Sequence, residues 1–241
     1  MKISLVIPCT PNHFLNLREN LEKTMSGTSV PDEIVISLSN SNYVSSDLIK
    51  KMEEYLSEKV EKFALLKHYR KMPHGPNRQA GSEAASGDLL IYQDADDYPH
   101  PQRIEIMEYF FDNHDIVHLN HGWIPATIDF ENLEKMNISY INPEDIYKQY
   151  FPNNNFLDCL GASNYGAGFV TTHGGNTSVL KKVLERVRWK DWDELIGRAE
   201  DCEFCMEVAY NFKKSMIIDA PLIQYTNLSL QHLSLSDLGY K

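Results

Sequence analysis

Two hydrophobic periods trade places along the first half of the chain. A β-branched run at residues 3–7 stops at Pro8, and Phe14, Leu15, Leu17 and Leu21 then recur at helical spacing after a candidate cap at Asn12. The alternation continues with strand at Glu33–Leu38, helix at 46–60, strand at 63–69, helix at 77–86 and strand at 88–93. Such a succession predicts an α/β fold, a mainly parallel sheet flanked by helices. Ligands of these sheets collect outside the carboxyl ends of the strands, which directs attention to residues 8–12, 39–42 and 94–97.

The second half is less regular. A helix at 101–111 and a strand at 115–119 lead into residues 122–165, where Pro, Asn and aromatic residues cluster and loops with short helices are expected to shape a pocket. Beyond them the pattern predicts a strand at 168–172, helices at 177–187 and Glu200–Phe212, and a strand at 215–219. The last twenty residues, rich in Leu and Ser, have no clear period and read as a flap or a docked tail.

Charge narrows the function classes. The 241 residues carry 34 acidic against 23 basic side chains, a formal net charge of −11, which disfavours a nucleic-acid partner because phosphate binding needs a basic surface. With 42% apolar and 24% charged residues the chain can bury a sizeable core, and one compact domain is expected. The apolar run at residues 3–9 is too short to cross a bilayer and has no small-residue cleavage site, so a cytoplasmic protein, at most peripheral to a membrane, is expected. A core of this size does not need disulfides, and the four cysteines read as free thiols. Cys202 and Cys205 form a lone C-x-x-C whose i, i+3 spacing on a helix is that of packing residues.

The sharpest local feature is Asp94-Ala95-Asp96-Asp97, three carboxylates directly after an apolar strand. If the strand continues, its period of two puts Asp94 and Asp96 on one face, an oxygen-donor arrangement suited to Mg²⁺ or Mn²⁺. Magnesium binds through one or two carboxylates plus substrate phosphates, so a nucleotide diphosphate is a natural third party. The alternative is that Asp96 or Asp97 caps the following helix. His173-Gly174-Gly175-Asn176 offers close backbone approach to a ligand or, alternatively, a turn with Asn176 capping a helix from Thr177. Glu200 and Asp201 likewise admit a simple reading, acidic residues placed favourably at a helix start. His114, His118 and His121 do not make a metal cluster, since His118 and His121 fall on opposite faces of a continuing strand. Trp123, Tyr165, Trp189 and Trp192 are candidates for stacking on sugar rings or for the core.

The stretch from Gly75 to Arg103, GPNRQAGSEAASGDLLIYQDADDYPHPQR, resembles the centre of family 2 glycosyltransferases, which have a nucleotide-diphospho-sugar transferase fold of GT-A type. In that family an Arg-Asn-x-Gly turn opens a helix, Ala-x-Gly-Glu closes it, and the next strand runs into Asp-x-Asp. The matching residues are Arg78, Gln79, Gly81, Ala85, Gly87 and Asp88, then Asp94, Asp96 and Asp97. The resemblance implies that Asp96 binds Mn²⁺ or Mg²⁺ bridging the donor diphosphate, with Asp94 alongside and nearer the nucleoside, and that Arg78 lines the same pocket together with Pro8 and Thr10 of the first loop. Gly174 and Gly175 are similar to the family's glycine-rich turn facing the donor sugar. Gly197-Arg198-Ala199-Glu200-Asp201 resembles the motif that opens its catalytic helix; Asp201 is then the general base, Glu200 its neighbour toward the acceptor, and Arg198 a phosphate contact. A C-terminal histidine sometimes joins the metal or diphosphate in such folds, a role that falls here to His232. Two departures stand out: the first loop reads Pro8-Cys9-Thr10-Pro11 where Pro-Thr-Tyr-Asn is common, and the second strand ends Ser37-Leu38-Ser39-Asn40 without an acidic residue.

The resemblance therefore implies a single transferase domain over residues 1–241, the nucleotide-sugar half at 1–120 and the acceptor half with its tail at 121–241. The expected activity is metal-dependent, inverting transfer of one sugar from a nucleotide diphosphate sugar to a glycan or other hydroxyl-bearing acceptor. Two rivals share the fold: a nucleotidyltransferase, which usually has a basic, glycine-rich loop after the first strand that residues 8–12 lack, and a catalytically silent sugar-nucleotide or glycan-binding protein.

Overall fold

The computed structural model describes residues 1–125, 127, 141–146, 148–151, 173–191 and 200–226. Strand β1 (Ile3–Cys9) is buried along its whole length, as a central parallel strand covered on both faces must be. Two short helices follow, α1 (Pro11–Phe14) and α2 (Leu17–Met25), then β2 (Glu33–Leu38), α3 (Ser46–Lys59), β3 (Lys62–Lys67), α4 (His74–Ala84) and β4 (Leu89–Tyr92). Ser45 caps α3 by accepting the Leu48 N–H at 3.3 Å. Asn12 does not cap the first helix; Thr10 precedes it and Pro11, whose fixed φ suits a first helical position, starts it.

A short β5 (Tyr98–Pro99) and α5 (Arg103–Asn113) lead to β6 (His118–Pro125), β7 (Lys148–Phe151), β8 (Thr177–Leu180), α6 (Glu200–Phe212) and β9 (Ser215–Tyr225). All nine described strands join one sheet in the order β3-β2-β1-β4-β8-β6-β9-β5, with β7 beside β9. The first four strands pair in parallel, β6 pairs β9 in parallel, and β8 runs antiparallel between β4 and β6. This is the expected α/β architecture, with its parallel half in the first hundred residues.

Several expected elements differ. No helix forms over 177–187: β-branched Thr177 and Val179 enter the sheet, Leu90 lies opposite Val179 and Leu119 opposite Ser178, and a 3₁₀ turn at Lys181–Glu185 follows. Asn176 accordingly precedes a strand and caps no helix. The strand expected at 115–119 starts at His118 and continues through bulges near Gly122 to Pro125, into the stretch read as irregular, because β9 extends to Tyr225 beside it. The expected strand at 168–172 and the C-terminal tail lie outside the described residues.

Two apolar clusters cover the two faces of the sheet. Leu5, Ile7, Ile34, Ile36, Leu89 and Ile91 face α2, α3 and α5, while Val6, Val35, Leu90 and Tyr92 meet Trp189 and Phe204 on the other side. Helix α4 lies close on β1. A Cβ added at Gly81 would sit 2.7 Å from Val6 Cγ1, inside van der Waals contact, so the absent side chain sets how near Asn77 and Arg78 come to the strand ends. Among the described residues no helix is long and apolar enough to cross a membrane.

We expect Gly81→Ala to lower the unfolding free energy by about 1–3 kcal/mol through overpacking. The double variant Gly81→Ala/Val6→Ala should lose less than the sum of the two single changes, because the new methyl fills the space left by the valine. Urea unfolding of the four proteins measures both.

Candidate active site

The carboxyl ends of β1 and β4, the start of α4 and the start of α6 surround a cleft of about 530 Å³. Pro8, Thr10, Arg78, Asp94, Asp96, Glu200 and Asp201, all marked by sequence, line it. Residues more than a hundred positions apart are thereby brought to one space. Arg198 and His232 lie outside the described residues, as do Tyr165 and Trp192.

Strand β4 ends at Tyr92, so the acidic residues occupy a turn rather than one strand face, and the Asp97 N–H donates to the Asp94 carbonyl at 3.3 Å. The turn gives each carboxylate a different environment. Arg78 Nη2 donates to Asp94 Oδ1 at 2.7 Å, and His173 Nδ1 lies 3.6 Å from Asp94 Oδ2. Burial pushes the Asp94 carboxyl up, but Arg78 and then His173 outweigh it and hold the group below its ordinary range. Asp97 is 1% exposed; burial and then the charges of Asp94 and Asp96 push it well above the ordinary range, against the N–H of Thr226, which donates to Oδ1 at 3.1 Å. Asp96 differs from both: its side chain is 43% exposed at the cleft, Thr226 Oγ1 donates to its Oδ2 at 3.3 Å, and His13 Nδ1 lies 3.7 Å from its Oδ1. Helix α5 begins at Arg103 after Gln102, so neither Asp96 nor Asp97 caps it.

Arg78 joins the two sides of the cleft. Its Nη1 lies 3.4 Å from Glu200 Oε1 while Nη2 holds Asp94. The Trp189 ring lies 5.2 Å away, and Gly174 packs on the guanidinium where a Cβ would collide with it. Burial would lower the Arg78 pKa, but Asp94, then Asp201 and Glu200, more than reverse this and raise it. The expected glycine turn thus has a physical reason: Gly174 admits Arg78, and a Cβ on Gly175 would lie 2.9 Å from Asp94 Oδ2. The Gly174 N–H donates to Asp201 Oδ2 at 3.0 Å and the Cys202 N–H to Oδ1 at 3.1 Å, orienting the carboxylate at the first turn of α6.

Other expected residues prove to be core. Trp189 is 3% exposed, stacked on Phe204 at 3.9 Å between ring centres. Cys205 is a buried thiol in no disulfide, close to Thr177 Oγ1 and pushed up to about 12 by burial, which suits packing and not redox exchange. His118 Nδ1 pairs with Ser215 Oγ at 2.9 Å and His121 Nε2 accepts from Arg103 Nε at 3.1 Å, on separate partners. Trp123 packs against Tyr225, 5.5 Å between ring centres, and Tyr225 also lines the cleft. Sequence reading missed His13, Met72, His74, Asn77 and Tyr225 as cleft residues, while it marks His173 only as the start of the glycine turn. Only their position next to strand ends or motif glycines marks them.

A divalent cation fits this donor set in a limited way. Among the described residues no three His, Cys, Asp or Glu side chains converge as a metal cage. Asp96 presents a half-exposed carboxylate to the cleft, enough for an ion that takes most of its remaining ligands from phosphates and water. Asp94 has one oxygen bound to Arg78 and the other walled by His173 and Gly175, so it fits an orienting role better than ligation.

Sheet order and cleft define a GT-A-type fold. The chain belongs to glycosyl transferase family 2, whose profile matches residues 4–186 and ends before Glu200. It is 24% identical over 213 residues to the uncharacterized glycosyltransferase MJ1057 of Methanocaldococcus jannaschii, covering 87% of this chain and 65% of that protein. The structure of S. aureus TarS 1-349 is similar with a TM-score of 0.66 at 17% identity, covering 94% of this chain and 60% of that one. The same segment in complex with UDP-GlcNAc has a TM-score of 0.63 at 18% identity, covering 94% and 59%. The mannosyltransferase PcManGT of Pyrobaculum calidifontis, in complex with GDP-Man and Mn²⁺, has a TM-score of 0.54 at 13% identity, covering 91% and 55%. The chain spans less than two thirds of each of these relatives.

Removing one partner of a buried ion pair costs about 3–5 kcal/mol, so Arg78→Met should destabilise the protein by that order. Adding Asp94→Asn should recover part of the loss. Chemical denaturation of both variants tests this, and equal stability of Arg78→Met and the wild type would contradict it.

Proposed function

We propose that this chain transfers one sugar residue, with inversion, from a nucleotide diphosphate sugar to a hydroxyl of a glycan or similar acceptor. The observation that carries the reading is the meeting of Asp96 and Asp201 in one cleft of about 530 Å³. The uridine and guanosine diphosphate sugars held by the fold's neighbours support the donor class. In this reading the whole chain acts as one transferase domain, residues 1–120 supplying the donor side and 121–241 the acceptor side.

The chemistry asks for opposite provisions at the two ends of the cleft. Glycosyl transfer leaves negative charge on the departing diphosphate while the acceptor hydroxyl gives up a proton. A Mn²⁺ or Mg²⁺ ion, when bound, neutralises charge on the diphosphate oxygens. Asp96 would hold it, Asp94 and Arg78 would fix the turn behind it, and Pro8 and Thr10 would border the nucleoside. We extend the diphosphate contacts to Arg198 and His232 on the family resemblance alone. Asp201 takes the acceptor proton, oriented by the Gly174 and Cys202 N–H groups. Glu200, held by Arg78, faces the acceptor beside it. A base opposite the leaving group makes attack in line, and the anomeric configuration inverts.

Asp201→Asn should lower kcat by about 10²–10⁴, the usual contribution of a general base, with donor affinity nearly unchanged. Unaltered turnover would remove the assigned base. Asp96→Ala, or chelation of the wild type, should weaken binding of UDP-GlcNAc or GDP-mannose at least tenfold by calorimetry, and undiminished affinity without metal would remove the cation from the reading.

A further inference from the structure

Behind the cleft lies a buried polar assembly that carries no assigned role. Arg103, at the start of α5, is 1% exposed and sits among the buried polar side chains of Gln93, His121, Asn20 and Thr24. Its guanidinium makes four hydrogen bonds: Nη2 donates to the Tyr92 carbonyl at 2.6 Å and the Gly175 carbonyl at 2.8 Å, Nη1 to Gln93 Oε1 at 2.9 Å, and Nε to His121 Nε2 at 3.1 Å. One planar fork therefore spans the residues leading into the acidic turn and the backbone of the glycine turn.

The bonds continue in both directions. Gln93 Nε2 donates to Asn20 Oδ1 and, at 3.2 Å, to Thr24 Oγ1; Asn20 Nδ2 donates to the Asp97 carbonyl and, at 3.4 Å, to that of Asp94. Both ends of the acidic turn are thus tied by main-chain carbonyls to one side chain of α2. On the other side His121 Nδ1 pairs with the Gly122 carbonyl at 2.7 Å, which leaves Nε2 as acceptor for Arg103. The His121 carbonyl in turn accepts from Asn176 Nδ2 at 3.2 Å, closing on the glycine turn.

We propose that Arg103, Gln93 and Asn20 act as positioning residues: they set the spacing between the acidic turn and the glycine turn, and so the width of the donor diphosphate site. The inference rests on the donor reading above. None of the three lines the cleft. An apolar side chain of similar volume in place of a buried charge is often neutral or stabilising, so stability alone gives weak reason for an arginine here. Arginine is suited to the task because its rigid fork addresses several acceptors at fixed angles, which a lysine ammonium does not. Burial lowers the Arg103 pKa to about 9, opposed by Asp97 and then Asp94, so the cation persists at neutral pH behind the acidic turn.

The test uses Arg103→Lys and Asn20→Ser, conservative exchanges that keep polarity but cannot reach the same carbonyls. UDP and GDP binding with Mn²⁺ is measured by calorimetry, steady-state kinetics with the matching donor sugar, and folding by thermal unfolding. We expect both variants to fold cooperatively and to raise nucleotide Kd and donor KM roughly 10–100-fold, the range in which groups behind a ligand act, with kcat changed much less. A lowered melting temperature with wild-type Kd and KM would overturn the proposal, and so would failure of both variants to fold, since the assembly would then support the fold and not the site. A wild type that binds neither nucleotide would instead refute the donor reading, and this inference with it.

Discussion

The pairing of charges across the cleft depends on the buried guanidinium of Arg78. Arg78 joins a carboxylate of the acidic turn to a carboxylate at the start of α6, and without it Asp94, Glu200 and Asp201 would gather as like charges around the cleft with no guanidinium between them. Its position follows from local geometry. Gly81, one turn further along α4, lets the helix settle on Val6, and Gly174 lets a backbone turn lie against the guanidinium. Trp189 fills another side, itself fixed by stacking on Phe204. Close packing, a paired charge and two absent side chains therefore combine to bring together residues that the chain separates by more than a hundred positions.

Within the acidic turn, three neighbouring aspartates receive three tasks from their surroundings. Asp94 is kept below the ordinary carboxylate range by Arg78 and His173 against its burial, Asp97 is driven upward by burial and its neighbours while receiving the Thr226 N–H, and Asp96 alone reaches the cleft half-exposed. A cluster that would repel itself on an open surface is stabilised by dividing it between an ion pair, a buried acid and an open oxygen donor. That division leaves Asp96 as the most exposed carboxylate of the turn, in the same cleft that Asp201 lines.

Much of this was legible in the sequence. The apolar runs at 3–7, 33–38 and 88–93 marked parallel strands because such strands are apolar on both faces, and the structure forms them at Ile3–Cys9, Glu33–Leu38 and Leu89–Tyr92. The acidic turn stood out by residue type and spacing, whereas the glycine pair and Glu200-Asp201 gained a site reading only through the resemblance to the family. Strand β8 was not, because Thr177–Leu180 is four residues long and its neighbours β4 and β6 come from distant segments, so only the assembled sheet reveals it. The sharing of tasks within the acidic turn was also hidden, since it is set by Arg78, His173 and Thr226 through space. The burial of Arg103 and Asn20 was not legible, although Arg103 closes the stretch that resembles the family: a polar residue on a helix is ordinarily at the surface, and nothing in its spacing shows that it is buried against main-chain carbonyls.

The most direct test is a crystal structure of the protein with Mn²⁺ and an intact nucleotide sugar, UDP-GlcNAc or GDP-mannose according to which binds. The diphosphate should lie at Asp96, with the anomeric carbon between it and the Asp201 carboxylate and the open path for an acceptor hydroxyl on the Asp201 side. A diphosphate seated away from the acidic turn, or an Asp201 carboxylate on the same face of the sugar as the leaving oxygen, would contradict the assignment of these two groups to opposite ends of one reaction.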